Sequence, residues 1–213
     1  MRSERYRELL PIERLSQIAC SIIGVGAIGR QVALQLAAMG VGRVQLVDPE
    51  VVESVNLGPQ GYLEDDVGRP KVQATADLMQ QINHGLKMQE EQQRFARSMD
   101  IHPVVFACVD SISMRRHIWN EVNKDADLFI DGRMAAEVLR VVTVSNSVAA
   151  IEYPDTLFAE HEALRQACTA QSTIYCANVA AGFMVSQFTK WLRNMPTEFD
   201  VTVNLLAAEL TAT

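Results

Sequence analysis

Three glycines near the start of the chain, Gly24, Gly26 and Gly29, lie between an apolar run and a helical pattern. The run Ala19–Ile23 predicts a buried parallel strand, and residues 30–39 predict the helix that follows it. The first glycine permits a tight turn, the second lets the backbone approach a phosphate, and the third lets the helix pack on the strand. The segment therefore predicts a strand–turn–helix unit that holds a nucleotide phosphate at the N-terminus of the helix.

A carboxylate follows at the end of the next apolar run, residues 44–47. This residue, Asp48, comes about 20 residues after the last glycine, where an acid accepts hydrogen bonds from the ribose hydroxyls of a nucleotide. Up to this point the sequence also fits an NAD-dependent oxidoreductase. That alternative is disfavoured because no catalytic set of His, Lys and Tyr accompanies the glycine loop.

Helical and apolar segments continue to alternate along the chain. Helices are predicted over residues 71–82, 113–122 and 173–193, and strands over residues 86–94, 104–109, 128–131, 138–144 and 201–205. Residues 152–171 predict a long loop with one short helix, and the apolar C-terminal helix is interpreted as wholly buried.

These segments assign residues 1–213 to one α/β domain. Its predicted fold is a Rossmann-like, doubly wound, mostly parallel sheet with helices on both faces. A C-terminal crossover loop, a long apolar helix and a closing strand complete the predicted fold.

The overall charge and the apolar pattern disfavour several classes of function. The net charge of −7 argues against a nucleic-acid surface, which needs clustered Lys and Arg. Residues 1–7 lack the apolar core of a signal peptide, and the longest apolar run, residues 174–188, is interrupted by polar side chains. Neither export nor a membrane span is therefore expected, and the four cysteines without a CxxC pair predict reduced thiols in a cytoplasmic protein.

Further motifs follow the first acid. The sequence continues as Asp48-x-Glu50-x-Val52-x-Ser54-x-Asn56-Leu57-x-x-Gln60 and then Gly68-Arg69-Pro70-Lys71. Together with the glycine loop, this order of residues resembles the ThiF/MoeB/ubiquitin-activating superfamily of adenylating enzymes. The resemblance is clear over residues 5–145 and loose over the remainder.

The resemblance implies ATP as the nucleotide and Mg²⁺ as the cofactor. In such enzymes the C-terminal carboxylate of a ubiquitin-like or sulfur-carrier protein attacks the α-phosphate of ATP and gives an acyl adenylate and pyrophosphate. Because two anions must meet, cations have to offset their repulsion. The implied partners are a carrier protein that ends in Gly, a conjugating enzyme and a second copy of the chain in a homodimer.

The resemblance also assigns the site residues. Lys71 matches the phosphate-binding lysine, and Asp110, in a segment similar to the D-N/S-x-x-x-R element, matches the aspartate that coordinates Mg²⁺. The alternative for Asp110 is the N-cap of the following helix, and Arg115 is interpreted as a structural residue. The implied nucleotide-binding set is Gly24, Gly26, Gly29, Asp48, Asn56, Gln60, Lys71 and Asp110, and the implied catalytic set is Lys71, Asp110 and Cys168.

The sequence departs from the family pattern at Pro59, where the resemblance places an arginine that contacts the phosphates. Proline offers neither a donor nor a charge. Arg7, Arg69 and Arg133 are the alternatives within the chain, and Arg5 or Arg7 can also come from a second subunit. If none of them supplies the charge, the chain is instead a weakly active or inactive nucleotide-binding scaffold that docks a ubiquitin-like or conjugating protein.

Cys168 lies in the predicted loop, close to the place of the nucleophilic cysteine in relatives that form a thioester. The resemblance therefore allows a thioester on Cys168 after adenylation, favoured by the helix N-terminus and by Arg165. The alternative is a half-buried loop cysteine. The other cysteines are interpreted as core thiols. Because the two CxxC pairs that hold zinc in many relatives are missing, no zinc site is predicted.

Overall fold

A computed structural model of the chain describes residues 8–158 and 173–213. The strands are β1 (Ala19–Ile23), β2 (Arg43–Val47), β3 (Lys87–Glu91), β4 (Val104–Ala107), β5 (Leu128–Ala135), β6 (Val138–Val144), β7 (Asp200–Asn204) and β8 (Glu209–Ala212). The α-helices are α1 (Ile12–Leu15), α2 (Ala27–Met39), α3 (Leu57–Gln60), α4 (Lys71–Ile82), α5 (Ile112–Val122), α6 (Ser147–Glu152) and α7 (Ile174–Leu192). Short 3₁₀ helices cover Ser54–Asn56, Glu64–Asp66 and Tyr153–Thr156.

The strands form one sheet of eight in the order β3-β2-β1-β4-β5-β6-β7-β8. Neighbours from β3 to β5 in this order are parallel, and neighbours from β5 to β8 are antiparallel. After β3 the chain returns to the other side of β1, so the strand order reverses between β1 and β4. In such sheets a ligand crevice opens at this point, beyond the carboxyl ends of the strands. The predicted Rossmann-like, mostly parallel α/β fold is confirmed.

Helices cover both faces of the sheet, which explains why its central strands are continuously apolar. On one face, α2, α4 and α7 pack against side chains such as Ile22, Phe106 and Ile130. On the other face, α5 and α6 pack against Val105 and Phe129. Successive residues of β4 and β5 therefore enter opposite cores.

The structure differs from the predicted elements at their ends. Helix α2 begins at Ala27 rather than at residue 30, because the glycine loop leads directly into its first turn. The strand predicted over residues 86–94 is limited to Lys87–Glu91. A further strand, β8, follows the predicted closing strand; all of its residues are exposed, so no buried apolar face marks it.

Helix α7 is not wholly buried, and that interpretation is wrong. Its buried face packs against α2 and the sheet, whereas Ile174, Tyr175 and Asn178 are exposed. Apolar residues at the start of the helix therefore misled the prediction, because they suggested burial on all sides.

The region predicted as a long loop is described only in part. It follows α6 and includes the 3₁₀ helix Tyr153–Thr156, but residues 159–172, with Cys168 among them, and residues 1–7 lie outside the described residues. Within the described ranges, no helix combines the length and the apolar character that crossing a membrane requires.

Candidate functional site

A cavity of about 740 Å³ opens at the carboxyl ends of β1, β2 and β4, beside the reversal of strand order. This volume is typical of small-molecule sites. The predicted residues on its wall are Gly24, Gly26, Asp48, Gln60, Lys71 and Asp110. The structure therefore brings together residues from five separate parts of the sequence, whereas Gly29 and Asn56 do not line the cavity.

The glycines of the loop have different surroundings. Gly24 has a φ of +89°, and a Cβ there would lie 2.7 Å from the Cys108 carbonyl oxygen. A Cβ on Gly29 would lie 1.9 Å from the Gly24 carbonyl oxygen. At Gly26 the nearest atom would be Gln60 Oε1 at 3.9 Å, so this position is open. Close packing thus requires Gly24 and Gly29, while Gly26 leaves room for a ligand.

Val25, between the first two glycines, is held from both sides. Its backbone N–H donates to Asp48 Oδ2 at 2.6 Å, and its carbonyl oxygen accepts a hydrogen bond from the Tyr62 hydroxyl at 2.6 Å. The other Asp48 oxygen accepts from the Glu50 N–H at 2.8 Å. Asp48 is 5% exposed, and burial raises the pKa of its carboxyl despite these two donors. Asp48 therefore fixes the glycine loop as well as lining the cavity.

Lys71 begins α4 and is only 3% exposed. Its ammonium donates to Glu50 Oε2 at 2.5 Å, although the Glu50 side chain is 64% exposed. A cation in the first turn of a helix opposes the helix dipole, and burial adds a desolvation cost. Because Lys71 lines the cavity, a bound phosphate can replace the exposed carboxylate of Glu50 as its counter-ion.

Asp110 lies three residues after the end of β4 and is exposed on the cavity wall. The next helix is capped by Ser111, whose hydroxyl accepts a hydrogen bond from the Met114 N–H at 3.1 Å. The alternative interpretation of Asp110 as the N-cap is therefore wrong, and among the described residues its carboxylate has no hydrogen-bond or ion-pair partner.

An exposed carboxylate of this kind suits a hard cation such as Mg²⁺, with phosphate oxygens and water as further ligands. Within the described parts of the chain, His, Cys, Asp and Glu form no group of three or more that would hold a metal ion. The donor set at Asp110 therefore fits a cation that arrives with a nucleotide.

The two predicted amides are placed differently. Gln60 lines the cavity, and its side-chain oxygen is buried without a hydrogen-bond partner in the part of the chain that is described. The side-chain oxygen of Asn56 instead accepts from the Glu53 N–H at 2.9 Å and closes a 3₁₀ turn. Only Gln60 therefore reaches the cavity.

The arginines considered as replacements at Pro59 also differ in position. Arg69 is paired with two aspartates and does not line the cavity. Arg133 lines the cavity from within β5, which continues to Ala135 instead of ending at residue 131 as predicted. Residues 1–7, which hold the remaining candidates, lie outside the described residues.

Three arginines that were not predicted at the site also line the cavity: Arg94, Arg115 and Arg140. Arg94 follows β3, and Arg115 lies in the first turns of α5. For Arg94 the available signal was its position three residues after the carboxyl end of β3, and for Arg115 it was its place in the segment that follows β4. Arg140 lies within β6, where nothing in the sequence distinguishes it from an ordinary strand residue.

One protein-family model matches most of the chain. The ThiF family matches residues 6–211. The chain belongs to the ThiF family.

Curated relatives of this ThiF-family chain include the sulfur carrier protein ThiS adenylyltransferase of Escherichia coli (strain K12), which is 33% identical over 103 residues, 46% of this chain and 41% of that protein. The SAMP-activating enzyme E1 of Haloferax volcanii is 34% identical over 93 residues, 43% of this chain and 34% of that protein. Ubiquitin-like modifier-activating enzyme 5 of Branchiostoma floridae is 24% identical over 205 residues, 84% of this chain and 51% of that protein. The chain thus spans about half or less of the length of these relatives.

Solved structures share the fold. MccB of E. coli, in a crystal structure with ATP, has a TM-score of 0.80 and 15% identity, covering 100% of this chain and 71% of that chain. PaaA has a TM-score of 0.77 and 20% identity, covering 95% of this chain and 65% of that chain. At these identities the likeness concerns the fold alone.

The cavity wall of this ThiF-family chain is backed by a buried cluster of charges around Asp131, which is 0% exposed. Its carboxylate accepts hydrogen bonds from Arg115, from Arg133 Nε at 2.9 Å and from the Tyr153 hydroxyl at 2.9 Å. Burial, and then repulsion by Arg133, lowers the pKa of Arg115 to about 10. Two guanidinium groups share one carboxylate, which leaves excess positive charge beside the cavity.

Of the four cysteines, Cys168 lies outside the described residues. Cys20, Cys108 and Cys176 are free thiols whose pKa values are raised by burial. Cys108 lines the cavity, but its pKa of about 12 keeps it protonated at neutral pH.

Proposed function

We propose that the chain is one adenylation domain, over residues 1–213, that uses ATP and Mg²⁺ to activate the C-terminal carboxylate of a ubiquitin-like or sulfur-carrier protein ending in glycine. The observation that carries the proposal is the convergence of the glycine loop, Asp48, Lys71 and Asp110 on one cavity. The names of the curated relatives, an adenylyltransferase and two activating enzymes, agree with it.

Each cavity residue has a binding role in this proposal. The N–H groups at the start of α2 and the ammonium of Lys71 bind phosphates, because both favour anions. Asp48 accepts hydrogen bonds from the ribose hydroxyls, and Gln60 uses its unpartnered side-chain oxygen to accept one from the nucleotide or the substrate. Asn56 supports the loop through its turn. Asp110 holds Mg²⁺, which supplies neutralisation of phosphate charge when bound.

The proposed reaction joins two anions. A carboxylate oxygen of the carrier forms a bond to the α-phosphorus, and the bond to the bridging oxygen breaks. That oxygen leaves with the electron pair as part of pyrophosphate. The excess positive charge of Arg115 and Arg133 around Asp131 lies on the same cavity wall and would offset the repulsion between the reactants.

Intact-mass spectrometry tests the proposal. The chain is incubated with ATP, Mg²⁺ and candidate carrier proteins that end in glycine. We expect a carrier–AMP adduct that is lost in Asp110→Ala and retained in Asp125→Ala, an exposed aspartate just after α5. An adduct that persists in Asp110→Ala would remove the proposed role of that residue.

A nucleotide-binding scaffold is the second candidate, and Pro59 favours it. The position lacks the charge that the resemblance expects, and both Arg69 and Arg133 are held by carboxylates of the chain. The scaffold would dock a ubiquitin-like or conjugating protein without chemistry. It predicts ATP binding by calorimetry together with the absence of any carrier adduct.

We also propose a thioester step, a homodimer and a cytoplasmic location, and these three rest on the resemblance alone. The thiolate of Cys168 would attack the acyl carbon of the adenylate, release AMP and form a thioester for a conjugating enzyme. The chain would act as a homodimer in the cytoplasm. A thiol-sensitive carrier conjugate that disappears in Cys168→Ala tests the thioester, and a conjugate that survives this change would exclude it. Light scattering in solution tests the dimer.

A further inference from the structure

A fully buried arginine lies beside the glycine loop, outside the cavity wall. Arg30 is the residue after Gly29 on α2 and is 0% exposed. Its Nε donates to the Gly61 carbonyl oxygen at 3.2 Å, and one terminal nitrogen donates to Thr75 Oγ1 at 3.0 Å. The other terminal nitrogen is buried and has no hydrogen-bond partner within the described ranges. Neither of these acceptors is a carboxylate.

One aromatic ring connects this cation to the loop. The Arg30 guanidinium lies over the Tyr62 ring, with its central carbon 4.0 Å from the ring centroid. The hydroxyl of the same tyrosine donates to the Val25 carbonyl at 2.6 Å. The Tyr62 side chain therefore links the Arg30 guanidinium to the residue between Gly24 and Gly26.

The positive charge of Arg30 is poorly compensated by the residues that the structure describes. Burial lowers its pKa, and interactions with Tyr62 and Asp66 oppose that change. The Asp66 oxygens, however, accept hydrogen bonds from the Leu63 N–H at 3.0 Å and from Arg69 at 3.1 Å. A buried charge without its own ionic partner is costly, and an anion bound nearby relieves that cost.

We propose that Arg30 is a positioning residue that selects phosphate-bearing nucleotides, because its buried charge acts on phosphates through the glycine loop and Tyr62. This inference rests on the proposed function, since it requires phosphates at the loop. The charge lies in a medium of low polarity, where electrostatic interactions are weakened less than in water. The contribution therefore grows with the number of phosphates and is absent for a nucleoside.

Calorimetric titration of ATP and of adenosine against Arg30→Gln tests the proposal. Glutamine keeps a donor for Gly61 or Thr75 but carries no charge. We expect ATP affinity to fall about 10-fold, the lower range of what a nearby opposite charge contributes, and adenosine affinity to stay within about 2-fold. The matched control is Arg14→Gln, since Arg14 also stacks on an aromatic ring, Trp191, and donates to a backbone carbonyl, but far from the loop.

Each outcome is decisive. Equal losses for ATP and adenosine in Arg30→Gln would make Arg30 a structural residue only, and unchanged ATP affinity would overturn the proposal outright. If the unsubstituted chain bound no ATP, the proposed function would fail together with this inference. Arg30→Lys keeps the charge, and its ratio of ATP to adenosine affinity is expected within about 3-fold of the unsubstituted chain.

A measurement on the unsubstituted chain covers the case in which Arg30→Gln does not fold. The Nε–H group of Arg30 gives its own ¹H–¹⁵N resonance, which is assigned by its disappearance in Arg30→Lys. We expect this resonance to shift on addition of ATP and to stay in place on addition of adenosine. A resonance that ignores ATP at saturating concentration would contradict the inference.

Discussion

Asp110 and Ser111 are adjacent in the chain but serve different structures. The Ser111 hydroxyl accepts from the Met114 N–H and begins α5, whereas the Asp110 carboxylate is exposed on the cavity wall. The loss of one should therefore affect stability, and the loss of the other should affect chemistry.

Paired substitutions test this separation. We expect Ser111→Ala to lower the free energy of unfolding by about 1 kcal/mol, the usual effect of removing an N-cap, with adenylate formation retained. We expect Asp110→Ala to change stability by less than about 0.5 kcal/mol and to abolish adenylate formation. Urea unfolding and intact-mass spectrometry give the two readouts. A stability loss in Asp110→Ala as large as that in Ser111→Ala would contradict the assignment of the cap.

At the scale of single residues, the sequence does not show in which direction a side chain points. The motif places Asn56 and Gln60 on one short segment, yet Gln60 lines the cavity while Asn56 bonds to the Glu53 N–H. An amide that can satisfy a local turn competes with its use as a ligand. Only the folded geometry decides which of the two occurs.

At the scale of the element, the glycine loop separates packing from binding. A Cβ at Gly29 would overlap the Gly24 carbonyl oxygen, whereas a Cβ at Gly26 would have 3.9 Å to its nearest neighbour. Replacing glycine by alanine should therefore reduce stability at Gly29 and nucleotide binding at Gly26.

Alanine substitutions test the loop. We expect Gly29→Ala to destabilise the chain by more than about 2 kcal/mol, because the backbone must move to relieve the overlap. We expect Gly26→Ala to keep its stability within about 1 kcal/mol but to lose at least about 10-fold in ATP affinity, since the methyl group occupies the approach of the phosphate. Thermal unfolding and calorimetry provide the measurements. Normal ATP affinity in Gly26→Ala would place the phosphates elsewhere.

A pH-dependent contact joins α7 to Glu198, which lies two residues before the start of β7. Glu198 accepts hydrogen bonds from Lys190 Nζ at 2.6 Å and from Gln187 Nε2 at 2.7 Å. These bonds lower the pKa of Glu198 below its ordinary value of 4.5. Since the unfolded chain binds this proton more readily, the contact stabilises the fold above pH 4.5, and the contribution is lost as the pH falls through the lower folded value.

Melting curves of Glu198→Gln test this contact. Between about pH 6 and about pH 3, we expect the melting temperature of the substituted chain to fall less than that of the unsubstituted chain. The reason is that glutamine does not titrate in this range. Glu152→Gln, at an exposed glutamate, is the control. Parallel pH profiles for Glu198→Gln and the unsubstituted chain would show that the contact does not contribute.

Elements with strong periodicity were predicted well and solvent-facing ones were not. Residues 71–82 and 138–144 coincide with α4 and β6, because apolar side chains mark their buried faces. Strand β8 carries only exposed residues and forms by pairing with β7, which is a contact between segments rather than a property of either one.

At the scale of the whole molecule, one cavity collects residues that are far apart in the sequence. The half formed by the glycine loop, Asp48, Lys71 and Asp110 was predicted, because a strand end followed by a polar residue is visible in the sequence. The opposite half, with Arg133 and Arg140 from the antiparallel part of the sheet, depends on how β5 and β6 pair. No local pattern encodes that pairing, so most of this wall became visible only in the structure.

The central claim is that this cavity activates a carrier carboxylate with ATP. Exchange of labelled pyrophosphate into ATP, measured with a carrier protein ending in glycine, tests it most directly for the unsubstituted chain, Lys71→Ala and the exposed control Lys124→Ala. We expect exchange that requires the carrier, falls at least about 100-fold in Lys71→Ala and stays within about 2-fold in the control. Full exchange in Lys71→Ala, or none in the unsubstituted chain with any carrier, would contradict the claim.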